Sequence, residues 1–356
     1  CALMTGFYLI AGYGAYLDSD MASELALASH LAKEGALISS TWAYSTEVRV
    51  LSTQLVFTPL MALFPHNWRL VRTLGCLILQ AALAASAYFC GRSLGARKRF
   101  ALLFAGLSIS VCSVVYAQMI TIGAYYVPHA VLTNLYVGLT ARLMTERKHG
   151  RRRGILALLI ALSVLMGASS IRYLFCATIP AAAAGVWAYL FPAGDESAPR
   201  EWKDKVGFLL TLTGLAFSVS GFLIGQKILP KICDYDAARY GGVRLSAFTS
   251  ADMPEMMQQA LGGLARLMGY SEGSVLLSVH GLASVGALLL PAAAAILMGR
   301  ALKAARRDGN NVLRVGVLTL AMSAAITALS FVLLEDLYLN RYWIPLMTLG
   351  APMMAA

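Results

Sequence analysis

The sequence predicts an all-α polytopic membrane protein, with about ten transmembrane helices and interfacial helices in its first outer loop. Three observations predict it. First, 58% of the 356 residues are hydrophobic and only 13% are charged, a balance that soluble domains do not carry. Second, the apolar residues gather in runs of about 17 to 24, the length that crosses ~30 Å of hydrocarbon. Third, the basic residues sit in short tracts between those runs: Arg92/Arg97/Lys98/Arg99, Arg147/Lys148/Arg151/Arg152/Arg153 and Arg300/Lys303/Arg306/Arg307/Arg314. The net charge of +11 is therefore a topology signal, the enrichment of Lys and Arg in cytoplasmic loops, and not the footprint of a nucleic-acid partner.

Ten spans are expected, over roughly 1–17, 73–90, 100–119, 123–143, 154–170, 174–191, 206–229, 275–298, 315–334 and 343 to the end, all in one transmembrane domain over 1–356. The ten-residue apolar run LVFTPLMALF (55–64) is too short to cross and is expected to lie at the interface. Charge supports this. With 55–64 outside, the four inner loops hold 18 of the 29 Lys and Arg, whereas a crossing there would put 20 outside and oppose the positive-inside rule. The first outer loop then runs over 18–72.

Within that loop, MASELALASHLAKE reads as a helix of ~21 Å, with Leu25, Ala28, Leu31 and Ala32 on one face and Gly35 ending it. Trp42 and Tyr44 suit headgroup depth, and a second helix over 46–64 returns the chain to the membrane. A second large outer loop, 230–274, is expected to contain a helix over 254–268 with Asp252 as its cap. PAGDESAPREWKDK (192–205) reads as a solvated linker. No repeat of fixed period occurs.

The six cysteines lie almost entirely inside apolar runs without CxxC or Cys/His spacing, so neither a disulfide framework nor a zinc site is expected. Cys1 stands where a start methionine would, and IPLMTLGAPMMAA reads as a helix cut short; both ends are expected to continue in a longer chain, and no cleavable signal is evident.

Candidate chemistry collects at the outer ends of the spans. Asp18 and Asp20 form a D-x-D directly past the first run. Such a pair can hold a divalent cation (Mg or Mn) or take a proton from an attacking hydroxyl, while Asp20 equally suits the cap of the helix that follows. His129, after Pro128, could bind metal, share a proton or hydrogen-bond a neighbouring helix. Arg172, Lys227 and Lys231 are each either phosphate clamps or snorkelling interfacial cations. In EDLYLNRYWIP, Arg341 with Tyr342 and Trp343 suits a sugar or lipid phosphate, or an aromatic belt.

Together these stretches resemble the GT-C superfamily, the membrane glycosyltransferases that use polyprenyl-phosphate sugars, particularly the aminoarabinose- and mannosyl-transferase type. The matching parts are DSDMASELALASHLAKEGALIS after the first span, LVFTPLMALFPHNWRLVRTLGCLILQ, the basic turn GRSLGARKRF, then GAYYVPHAV, SSIRYLF and NRYWIP. Order and topology agree across nearly the whole chain. The resemblance implies an inverting sugar transfer at the extracytoplasmic face of an integral membrane protein of the bacterial cytoplasmic membrane, onto a glycan or lipid acceptor. Through it Asp20 matches the catalytic acid. Asp18 lies two residues before, and Met21 stands where many relatives have a second acid. Arg172, Arg341, Tyr342, Lys227, Lys231 and His129 would face the substrates; a cation at Asp18 and Asp20 is admitted, not required. A transporter or lipid flippase is the alternative, and would place paired charges near mid-span. A non-catalytic partner that keeps the fold is a third reading.

Overall fold

The computed structural model describes residues 2–11, 17–44, 48, 50–110, 113–191, 202–235, 253–271, 273, 277–333 and 343–355. Among these the regular structure is helical, apart from one short strand pair. In order the helices are α1 (Ala2–Ala11), α2 (Ser19–Glu34), α3 (Gln54–Leu63), α4 (Trp68–Leu94), α5 (Lys98–Ser108), α6 (Val114–Tyr116), α7 (Val127–Thr145), α8 (His149–Ser169), α9 (Ile179–Leu190), α10 (Trp202–Ile232), α11 (Met253–Leu267), α12 (Val279–Arg307), α13 (Asn311–Leu333) and α14 (Ile344–Ala355). Two π-helical stretches, Ala117–Ile122 and Leu174–Thr178, precede α7 and α9. The chain is an all-α membrane protein: α4, α8, α12 and most of α10 and α13 are long and apolar enough to cross a bilayer.

Each boundary has a local cause. Gly35 closes α2 in the left-handed conformation (φ 64°), as its position after the apolar stripe predicts, and Gly95 closes α4 (φ 106°). Asn67 caps α4 by accepting from the Leu70 amide at 3.0 Å. The expected interfacial segment is α3, ten residues long, with Phe57 and Met61 buried and Leu55 and Leu63 exposed. The expected helix over 254–268 is α11; its anticipated cap, Asp252, lies outside the described residues.

The third expected span, 100–119, is not one helix. α5 stops at Ser108, and α6 starts at Val114 with Ser113 as its cap, accepting from the Tyr116 amide at 3.0 Å. Serines lie at the break. Ser108 and Ser110 turn their hydroxyls back onto the carbonyls of Ala105 and Gly106, which offers the backbone an alternative to continuing the helix.

Chain direction alternates through the bundle, so the residues of interest collect at one end. The basic end carries the C-termini of α4, α7 and α12 and the N-termini of α5, α8 and α13. The opposite end carries the N-termini of α4 and α7, the C-termini of α8 and α10, and the whole of α2 and α3 against them. There, strand β1 (Ala43–Tyr44) pairs in parallel with β2 (Asp234–Tyr235), joining the first large loop to the end of α10.

The tightest packing is between α8 and α10. A Cβ on Gly167 would strike the Ser218 carbonyl, and one on Gly221 would strike the Val164 carbonyl, so the two backbones touch only because these residues are glycine. Gly221→Leu should therefore destabilise the fold by about 1–3 kcal/mol. The same change at Gly299, where nothing lies within 4 Å, should not; thermal unfolding of the two variants in nanodiscs checks the difference.

Candidate active site

The site begins with how α2 starts. Its cap is Asp18, whose Oδ1 accepts from the Met21 amide at 2.8 Å; Asp20 is not the cap but lies in the first turn, exposed. This register follows from the apolar stripe, because it puts Met21, Leu25, Ala28 and Leu31 on the buried face and leaves Asp20 outside. Both carboxylates face the positive end of the helix dipole. The Tyr125 hydroxyl donates to the same Asp18 oxygen at 2.5 Å.

One turn further, Glu24 receives Arg72. The guanidinium Nη1 meets Glu24 Oε2 at 2.5 Å, while Nε donates to the Ile122 carbonyl at 3.1 Å and Nη2 to the Gly123 carbonyl at 2.7 Å. The Phe57 ring lies under it, 5.0 Å from Cζ to centroid. Arg72 is wholly buried. The Thr53 hydroxyl donates to the other Glu24 oxygen, and Gln54 Nε2 to the Glu24 carbonyl at 2.9 Å. The two accepting carbonyls are turned inward where the π-helical stretch ends and Ala124 takes a left-handed conformation (φ 59°), at a cost on the order of 1 kcal/mol.

A second cluster adjoins through Tyr126. Arg172, half-buried, donates from Nη1 to the Tyr126 hydroxyl at 3.0 Å and lies over that ring. His129 is buried, stacked on Tyr173 at 4.7 Å and 12°, with the Tyr126 ring 5.5 Å away. Thus Asp18 and Arg172 are bound to adjacent tyrosines at the turn that starts α7, with His129 one helical turn further on.

The remaining candidates lie elsewhere. Lys227 and Lys231 are exposed on the last turns of α10, flanking Leu229, which packs with Tyr44, Val48 and Cys233 in a separate small cluster. Arg341 and Tyr342 fall outside the described residues; Trp343 beside them is buried in the core that contains Leu25 and Phe57. Among the described residues no group of three or more His, Cys, Asp or Glu could hold a metal ion. A divalent cation at Asp18 and Asp20 would take one or two carboxylates and complete its shell with water and substrate phosphate, as magnesium commonly does.

Sequence reasoning passed over Glu24, Arg72 and Thr53. The available signal was Arg72 itself, an ionisable group inside an otherwise apolar helix, which requires a partner. Only the fold could say which acid, since Glu24 is 48 residues away.

The loop after α2 is closed by polar contacts of its own. His30 Nε2 lies 3.0 Å from Glu34 Oε1 and 2.9 Å from the Thr41 hydroxyl, and Thr41 donates to Glu34 at 2.8 Å. Hydrogen bonds from Ser39 and Thr41, helped by His30, hold the Glu34 carboxyl below its ordinary value.

No protein-family model matches this chain, and neither a curated protein nor a solved structure matches it.

Two outcomes follow from this geometry. Arg72→Met strands Glu24 and should cost about 3–5 kcal/mol, with much of the loss restored when Glu24→Met is added; chemical unfolding of the single and double variants checks this. Because the Glu34 carboxyl is depressed in the fold, its contribution is present above the unfolded-state value and lost as pH falls through the lower folded value. Amide exchange over 36–41 should accelerate in that acid window, and Glu34→Gln should remove the pH dependence.

Proposed function

We propose that this chain is an integral membrane glycosyltransferase, moving a sugar from a polyprenyl-phosphate donor to a glycan or lipid acceptor in an inverting reaction. The extracytoplasmic face would hold the site, as the basic tracts at the opposite end of the bundle suggest. The observation that carries this reading is that Asp18 and Arg172 are hydrogen-bonded to the adjacent Tyr125 and Tyr126 at the turn that starts α7, with Asp20 exposed on the first turn of the helix that Asp18 caps; the resemblance to the GT-C enzymes assigns acid and phosphate-binding roles to these residues.

In this reading Asp20 takes the proton from an acceptor hydroxyl as its oxygen attacks the anomeric carbon. The bond between that carbon and the phosphate oxygen breaks, and polyprenyl phosphate leaves with the electron pair. Asp20 is exposed on the first turn of α2 and open to an acceptor. Asp18, held by the Met21 amide and the Tyr125 hydroxyl, fixes where that turn sits. Arg172, half-buried with one nitrogen on Tyr126, would stabilise the leaving phosphate, with Arg341 and Tyr342 contributing from the segment before α14; one such donor is typically worth ~3 kcal/mol. Arg72 is unsuited to that task because Glu24 and two carbonyls already occupy its guanidinium. Lys227 and Lys231 would serve the lipid side of the donor. His129 would hold the tyrosines in place. If a divalent cation binds at Asp18 and Asp20, it supplies charge to the donor phosphate.

The test is consumption of a labelled polyprenyl-phosphate sugar by the protein in nanodiscs. Wild type should release polyprenyl phosphate. Asp20→Asn should abolish release with unfolding unchanged, and Arg172→Met should slow it about 100-fold or more. Near-normal transfer by Asp20→Asn would remove Asp20 from the base role. No donor consumption by wild type with any sugar tested would favour a transporter or a non-catalytic partner.

A further inference from the structure

The basic end of the bundle contains a cleft of about 520 Å³, formed where the C-terminus of α7 and the start of α8 face the α12–α13 turn and Val206 of α10. Its volume is that of a ligand site, within the ~300–1,000 Å³ usual for small molecules. The floor is apolar, from Leu143, Met144 and Val312. The walls are polar: Thr145, Glu146, Arg147, Arg152, Asn310 and Asn311.

The charge in this cleft favours an anion. Glu146, its one acid, is already committed. It accepts from the Lys148 amide at 3.1 Å and lies 3.7 Å from Arg151, and these contacts hold its carboxyl below the ordinary value. Among the described residues no ion pair engages Arg147 or Arg152. On the facing wall, Asn310 caps α13 by accepting from the Leu313 amide at 3.1 Å, after Gly309 turns the chain at φ 63°. The N-terminal end of a 23-residue helix therefore adds its positive dipole to the two guanidinium groups. The cleft opens among the ends of α7, α8, α10 and α13, and the ends of helices long and apolar enough to cross a bilayer are where headgroups would meet them.

We propose that this cleft is a binding site for a phosphate-ester group, with Arg147 and Arg152 as its ligating side chains and the start of α13 opposite. Its apolar floor and its place among helix ends suit the headgroup of an anionic phospholipid; a soluble phosphate ester carries the same recognition chemistry. The site is at the other end of the bundle from Asp18 and does not depend on the sugar-transfer reading.

The experiment compares binding in detergent micelles, by native mass spectrometry and thermal shift, of phosphatidylglycerol, phosphatidylcholine and soluble glycerol phosphate. Wild type should retain phosphatidylglycerol over phosphatidylcholine. Arg147→Gln with Arg152→Gln should weaken that binding about 30-fold, at roughly 1 kcal/mol for each basic residue neutralised, and Arg147→Glu with Arg152→Glu, which reverses both charges, should weaken it more. Arg300→Glu with Arg306→Glu, the same charge change at exposed positions on α12 outside the cleft, should leave it within about twofold. Should glycerol phosphate bind as well as the lipid and lose affinity in the same Arg147 and Arg152 variants, the site stands and its ligand is soluble. Equal loss in the α12 variant, or no loss in either Arg147/Arg152 variant while the protein unfolds normally, would overturn the proposal.

Discussion

One buried guanidinium governs the end of the bundle that carries the candidate chemistry. Arg72 is drawn out of water on the second turn of α4, among Phe57, Val71 and Cys76. It is tolerable there only because Glu24 and two backbone carbonyls meet its hydrogens. The acid comes from α2, the carbonyls from the chain just before α7, and the ring beneath from α3. Removing any one partner would leave a charge or a donor stranded in an apolar surround. Three segments that share no sequence neighbourhood are thereby tied to one side chain.

The consequence reaches the D-x-D. Glu24 lies one and a half turns after Asp18 on the same helix, and Tyr125 lies two residues after the Gly123 carbonyl that Arg72 engages. Fixing Glu24 and Gly123 to Arg72 therefore also fixes Asp18 and Tyr125 relative to each other, and the 2.5 Å hydrogen bond between them follows. Asp20, on the outward side of the same first turn, is carried to the surface with no contact of that kind needed to aim it. On the proposed reading, this is how a short amphipathic helix outside the spans keeps a base at a fixed place over them.

What was legible in the sequence was whatever local chemistry decides. Gly35 ends α2 because the chain there must turn left-handed, and the ten-residue apolar run forms a short helix of its own, α3, packed against α2 and α4. Of the ten expected spans, five correspond to helices long and apolar enough to cross, because long apolar runs and basic tracts are contiguous signals, although α12 continues to Arg307 where an end near 298 is expected. Three features were hidden for the opposite reason. The break between Ser108 and Ser113 falls inside an apolar stretch whose serines bond back to carbonyls and cap the next helix, polar detail that hydropathy averages away. The cap of α2 moved from Asp20 to Asp18 because burial of Met21 and Leu25 set the register, and D-x-D offers either residue. The pairing of Arg72 with Glu24, like that of β1 with β2, joins elements far apart in the chain, and no spacing announces it.

The central claim is that Arg72 holds α2 against the bundle and thereby sets the acids it carries. Hydrogen–deuterium exchange of wild type and Arg72→Met in nanodiscs tests it most directly. Amides of α2 from Leu25 to Lys33 should lose protection in the variant while those of α8 and α10, which Arg72 does not touch, keep theirs. Unchanged protection of α2 in a folded Arg72→Met protein would contradict it.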